Sequence, residues 1–226
     1  MSASLFHITF ADDVPGAGAR TRKFYLDAAR VPLSLQPQTF GLWTIQRLPA
    51  NELVAAVRVG RSSYTLLRRV SMRTLHHDGP GEVVMEDSRE ELMRHMPIWM
   101  AARGRVLITG LGLGCVVRGL LAKPQVTHID VVELDPSIIR ICGAEFMGNP
   151  RVTLHHGDAE FYRWPRGTRW DFAWHDLWTD DEHLQKLHFR LFARFMDQVG
   201  HQGAWGFPRE IKRVLRRKFP NGCFLN

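Results

Sequence analysis

The stretch VLITGLGLGCVVRGLL, residues 106–121, decides the fold. A short apolar run stops at Thr109, Gly110, Gly112 and Gly114 follow at every second position, and apolar residues then resume with helical spacing. A buried strand, a bared backbone turn and a helix in that order open a doubly wound α/β sheet. Glycine at such a turn lets the chain bend sharply and lets a ligand approach the main chain. A tight turn without any ligand would account for two of the three glycines.

Downstream the same alternation repeats. HIDVVEL (128–134), RVTLHHG (151–157), WDFAWHD (170–176) and GAWGF (203–207) read as strands; CVVRGLLA (115–122), PSIIRICGAEF (136–146) and EHLQKLHFRLFARFMDQV (182–199) read as helices. Strands separated by helices imply a mostly parallel sheet covered on both faces. Upstream, TFGLWTIQRL (39–48) and LVAAVRVGRSSYTLLRRVSM (53–72) favour strands, HHDGPGE (76–82) a turn, and DSREELMRHMPIWMAA (87–102) one helix capped by Asp87 or Ser88. The expected fold is therefore α/β, a Rossmann-like sheet over residues 87–226 with a smaller, irregular and β-rich region over 1–86.

Composition sets the outer limits. The chain has 226 residues, 45% of them hydrophobic and 23% charged, as in an ordinary globular protein. No apolar run approaches a membrane span and the first residues lack a signal-peptide pattern, so a cytoplasmic location without a membrane partner is expected. Three cysteines, Cys115, Cys142 and Cys223, form no CxxC pair and read as reduced packing residues. The histidine pairs at 76–77 and 155–156 lack metal-ligand spacing, so no metal is expected. The net charge is +7, and REIKRVLRRK (209–218), with six basic residues and one acid, holds +5 of it. That stretch suits a nucleic-acid backbone or a solvated helix face equally well.

In an open α/β sheet the ligand lies beyond the carboxyl ends of the strands. Glu133 ends the second strand, twenty-three residues after Gly110, where an acid can accept hydrogen bonds from both ribose hydroxyls. Asp158 and Ala159 follow the third strand. Asp158 can accept from an adenine amine, the Ala159 amide can serve a ring nitrogen, and Asp158 can equally cap a turn. Asp176 ends the fourth strand, where an acceptor substrate would enter, flanked by Trp174 and Trp178. Trp174 fits core packing better than ligand stacking. Cys115, in place of the last glycine of the dinucleotide fingerprint, argues against NAD.

Together RVLITGLGLG, VVELDPSII, HHGDAEFY and WDFAWHD resemble a class I S-adenosylmethionine-dependent transferase, and most of all the spermidine synthase family. The resemblance covers about 90 residues, roughly Glu91 to Thr179, and extends loosely to the N-terminal part. It implies S-adenosylmethionine as cofactor. Gly110, Gly112 and Gly114 would then lie along its methionine-derived tail, Glu133 at its ribose, and Asp158 with Ala159 at its adenine. Asp176 would be the catalytic aspartate that takes a proton from the attacking amine.

The departures are chemical. The family's GGGDGG has an acid for the donor's amine, and here Leu113 stands in its place. Arg89 and Glu90 replace a tyrosine-histidine pair, and Thr179 replaces a second acid. Arg89 could pair with the carboxylate of intact S-adenosylmethionine, and Glu90 with its amine. On these grounds the leading expectation is a methyltransferase on a spermidine synthase-like scaffold, acting on a small-molecule or nucleic-acid acceptor. Aminopropyl transfer to a polyamine is the alternative, and a non-catalytic, nucleotide-responsive nucleic-acid-binding protein is the third. A homodimer remains open.

Overall fold

The computed structural model describes residues 18–49, 63–70, 81–177 and 181–205 together with Arg213 and Arg217, and in 181–185 the backbone alone. Helix α1 (Ala19–Ala28) comes first. No sequence pattern singles it out, in a region whose β-rich character the four strands below bear out. Its residues are good helix formers, yet only Tyr25 within it is buried, too thin an apolar stripe to show a period. Tyr25 stacks on Trp99, with ring centroids 6.0 Å apart, and Ala29 and Val31 follow it into the core.

Strands β1 (Gln38–Phe40), β2 (Trp43–Pro49), β3 (Ser63–Arg69) and β4 (Glu82–Glu86) then form an antiparallel sheet in sequence order. TFGLWTIQRL is thus a hairpin, with Phe40 paired to Trp43 across a turn at Gly41. Residues 53–62 of the second expected strand, and 76–80 of the expected turn, lie outside the described residues.

The expected single helix over 87–102 is two short ones, α2 (Arg89–Arg94) and α3 (Met96–Ala101). Pro97 has no N–H to donate to the carbonyl four residues back, so the ladder breaks at His95. Ser88 is the cap, accepting from the Glu91 amide at 3.2 Å. Asp87 instead accepts from the amides of Val31 and Thr65, tying the end of the α1 segment to β3.

The alternation after Arg105 folds as predicted into five parallel strands. They are β5 (Gly104–Thr109), β6 (Val126–Glu133), β7 (Val152–His156), β8 (Trp170–His175) and β9 (Val199–Ala204), in the order β7-β6-β5-β8-β9. The last strand begins four residues before GAWGF. VGHQGA carries no apolar run to mark it, and it is a strand because it pairs with β8. Between the strands run α4 (Cys115–Leu121), α5 (Pro136–Cys142), opened by its proline, and α6 (Asp181–Phe195).

Alternation along β5 splits the core in two. Val106 and Ile108 face a large cluster with α1, α3, α4, α5 and Trp43, Ile45, Leu67 and Met85 of the antiparallel sheet. Leu107 faces Leu191 and Phe195 of α6. On that second face Asp130 accepts from Arg105 (2.6 Å), Trp170 (2.8 Å) and His155 (3.0 Å). Burial alone would raise its pKa. These three bonds outweigh burial and hold the carboxyl below the usual range.

Candidate active site

Strand order reverses between β5 and β8, and a cavity of about 410 Å³ opens at their carboxyl ends under the antiparallel sheet. Gly110, Gly112, Glu133 and Asp176 all line it. Gly110 stands at φ +88, and a Cβ there would collide with the Asp176 carbonyl oxygen. This glycine is needed so that the chain leaving β5 can pass the chain leaving β8. Gly112, at φ +50, faces the Met85 sulfur, which would lie 2.5 Å from an added Cβ. The same sulfur accepts from the Leu113 amide at 3.2 Å. Gly114 is absent from the cavity lining and packs against the Phe146 ring. Leu113 is fully buried, so the turn presents no acid to the cavity at that position.

Glu133 is held by the turn it follows. One carboxylate oxygen accepts from the Leu111 amide and the other from the Asp135 amide, both at 2.8 Å. Burial raises its pKa, and these backbone bonds offset it only in part. Each oxygen keeps a lone pair for a diol. Asp135 caps α5 through the Ser137 amide and accepts from Trp43 Nε1 at 2.6 Å. Burial pushes its carboxyl up, but those bonds outweigh it and leave the pKa below the ordinary value.

Asp158 and Ala159 are placed differently. Asp158 accepts from the Glu160 amide at 2.8 Å, the turn-capping role open to it, and does not line the cavity. Ala159 is buried against Leu107 and Val132 on the α6 face. Arg89 sits in the first turn of α2 and is also absent from the lining, whereas Glu91 is present. Two positions along a helix turn a side chain by about 200°, which separates the two. Trp174 is buried in the core. Trp178, Thr179, Asp180 and Cys223 lie outside the described residues, as does most of the basic stretch, of which Arg213 and Arg217 are exposed. Burial pushes the Cys115 and Cys142 thiols up to about 12, which makes them packing groups. Among the described residues no trio of His, Cys, Asp or Glu is arranged to hold a metal ion, and no helix is long and apolar enough to cross a membrane.

Asp176 follows β8, its amide bonded to the Thr109 carbonyl at 2.8 Å. Among the described residues no hydrogen bond reaches its carboxylate. Burial first, then the charges of Glu91 and Glu133, raise its pKa well above the ordinary value. Glu91, which no motif singled out, faces the same space. Burial pushes it to about 7, although Arg94 (3.2 Å) and Trp205 (2.6 Å) both donate to it. Next to both lies His95, fully buried, with neither ring nitrogen hydrogen-bonded among the described residues. Arg69, also missed, lines the cavity with its guanidinium 5.4 Å from the Trp43 ring centre, and its buried Nε has no hydrogen-bond partner among the described residues. The only signal for Glu91 and His95 was their i, i+4 spacing on a helix just before the first parallel strand.

Residues 86–197 match the family model of the spermine/spermidine synthase domain. A polyamine aminopropyltransferase of Agathobacter rectalis is 28% identical over 123 residues, 50% of this chain and 43% of that protein. One of Vibrio vulnificus is 33% identical over 95 residues, 38% of this chain and 32% of that protein. The matched segment thus spans less than half the length of either relative. A methyltransferase structure from Clostridium acetobutylicum, described as S-adenosylmethionine-dependent, superposes on 45% of this chain and 40% of its own, at 13% identity and a TM-score of 0.35. At that score it decides nothing about chemistry. The matched segment is spermidine synthase-like, carried on a Rossmann-like sheet.

Proposed function

We propose that the chain is a transferase that moves an aminopropyl group from a sulfonium nucleoside to an amine, with Asp176 as the base. The observation that carries the proposal is the Asp176 carboxyl, largely but not fully buried in the cavity wall, free of hydrogen bonds among the described residues, and raised in pKa. An acid in that state favours a cationic guest, because the guest's charge repays its ionisation.

Glu133, with a lone pair left on each oxygen, fits a ribose diol. Four carboxylates in the lining, Glu91, Glu133, Asp135 and Asp176, fit cationic ligands. Decarboxylated S-adenosylmethionine, when bound, supplies a carbon that bonds to the acceptor nitrogen while its bond to sulfur breaks and the electron pair leaves on a neutral thioether. Asp176 then takes the proton shed by the new ammonium nitrogen. Trp43, Leu177 and Trp205 in the lining keep water from the reacting atoms. The two curated relatives named as polyamine aminopropyltransferases favour this reading over the methyltransferase one.

Methyl transfer from intact S-adenosylmethionine is kept as a second reading by two observations. Leu113 offers no acid for the donor's amine, and Arg69 offers a cation for the carboxylate that only the intact donor carries. Arg69 takes over here the role expected of Arg89.

Incubation with putrescine and either donor, read by mass spectrometry, separates the readings. Aminopropyl transfer predicts spermidine and methylthioadenosine from the decarboxylated donor. Methylated amine and S-adenosylhomocysteine from the intact donor, reduced in Arg69→Ala, would hand the case to methyl transfer. No product from either donor would refute both.

A further inference from the structure

His95 has no part in the chemistry above, yet its position is unusual. Its ring is fully buried, 5.6 Å from Trp99 and 6.1 Å from Trp174 between centroids, and both nitrogens lack hydrogen-bond partners among the described residues. Buried polar atoms are rarely left so. The Pro97 break turns the chain at this residue. Nε2 lies 4.0 Å from Glu91 Oε1 and 4.0 Å from Asp176 Oδ2. That is too far for a direct hydrogen bond and suits one water touching all three groups.

We infer that His95 positions a water that passes the proton from Asp176 to Glu91, an inference that rests on the proposed amine transfer. The ammonium N–H bond breaks with its electrons left on nitrogen, and the proton joins Asp176. The Asp176 O–H then gives its proton to the water as the water gives one of its own to Glu91, whose other oxygen is bonded to the part-exposed Arg94. His95 stays neutral and accepts a hydrogen bond at Nε2.

The charged groups around the unit agree with these roles. On α2, Arg94 faces Glu91; Glu86, at the end of β4, and Glu133, at the end of β6, act on Glu91 and Asp176 respectively. Burial, helped by Arg94, lowers His95 to about 3, which keeps it an acceptor, while Glu91 at about 7 can hold or release a proton near neutrality. Trp205 donates to Glu91 and fixes its carboxylate.

The test pairs kinetics with a structure. His95→Leu should lower kcat at least tenfold while KM for the amine stays within threefold, and His95→Gln, which can still bind water, should recover most of the loss. A folded His95→Leu variant with wild-type kcat, or a His95→Gln variant no better than His95→Leu, overturns the relay. A high-resolution crystal structure of the unmodified protein is the readout that needs neither folding of a variant nor turnover. It should show a water within about 3.2 Å of His95 Nε2 and of both carboxylates. An imidazole bonded directly to either carboxylate, or no water between them, overturns the relay. Absence of product from the wild-type protein with every donor refutes the transferase reading, and the water still decides the geometry.

Discussion

Replacing Glu91 by glutamine removes a largely buried charge and keeps an acceptor oxygen for one of its two donors, Trp205 or Arg94. Loss of the other bond offsets stability equally at every pH. The pKa of Glu91, raised from 4.5 to about 7 chiefly by burial, makes the native state hold its proton more tightly than the unfolded chain does. Stability from this group is therefore fully present below about pH 4.5 and is lost as the pH rises through about 7. At about 1.36 kcal/mol per tenfold, the full displacement is worth roughly 3.4 kcal/mol, of which about 2.5 kcal/mol disappears between pH 5 and pH 8. Groups not coupled to Glu91, such as His175 and His188, cancel in the difference, whereas Asp176, whose pKa the Glu91 charge raises, adds to it in the same direction. Urea unfolding of the wild-type protein and Glu91→Gln at pH 5, 6, 7 and 8 measures it. The variant should gain about 2.5 kcal/mol on the wild type across that range. Parallel stability curves, with a gap that changes by less than about 0.5 kcal/mol, would refute a Glu91 whose pKa burial has raised.

Three further outcomes are expected. Glu133→Ala should weaken nucleoside binding by about 1.5–3 kcal/mol in calorimetric titration with methylthioadenosine, the range for bonds to a charged group; unchanged affinity in a folded variant would move the ribose elsewhere. Gly110→Ala forces a Cβ into the Asp176 carbonyl oxygen at φ +88, so it should cost more than about 1 kcal/mol in thermal unfolding and depress turnover further; a variant as stable and active as wild type would mean that the two strand exits do not cross so closely. If the basic stretch holds nucleic acid, reversing Arg213, Arg216 and Arg217 to glutamate should abolish a binding that falls steeply with salt; no binding to DNA or RNA at low salt leaves a solvated helix.

The parallel sheet was legible because strand and helix patterns alternate after Arg105 and each of its first four strands runs into a polar or glycine residue. The same rule located Gly110, Glu133 and Asp176, since in such a sheet the chemistry follows the strands. The rest depends on long-range packing that no local pattern carries. Helix α1 shows one buried side chain in ten residues. Glu91 meets Trp205 across 114 residues of chain, and His95 stands at the junction where Pro97 breaks a helix that reads as continuous. Arg69 reaches the cavity through the packing of one sheet on another. Gly114 shares its spacing with Gly110 and Gly112 but packs against Phe146, so a regular glycine repeat need not mean a regular role.

The central claim is that Asp176 is the base for an amine attacking a sulfonium nucleoside. The most direct measurement runs wild type and Asp176→Asn side by side with decarboxylated S-adenosylmethionine and putrescine, following spermidine and methylthioadenosine by mass spectrometry and donor affinity by calorimetry. Equal amounts of the two products are expected from the wild type. Turnover in the variant should fall by about 10²–10⁴-fold, the usual weight of a general base, with donor affinity nearly intact. An Asp176→Asn variant that forms product at the wild-type rate would contradict the account.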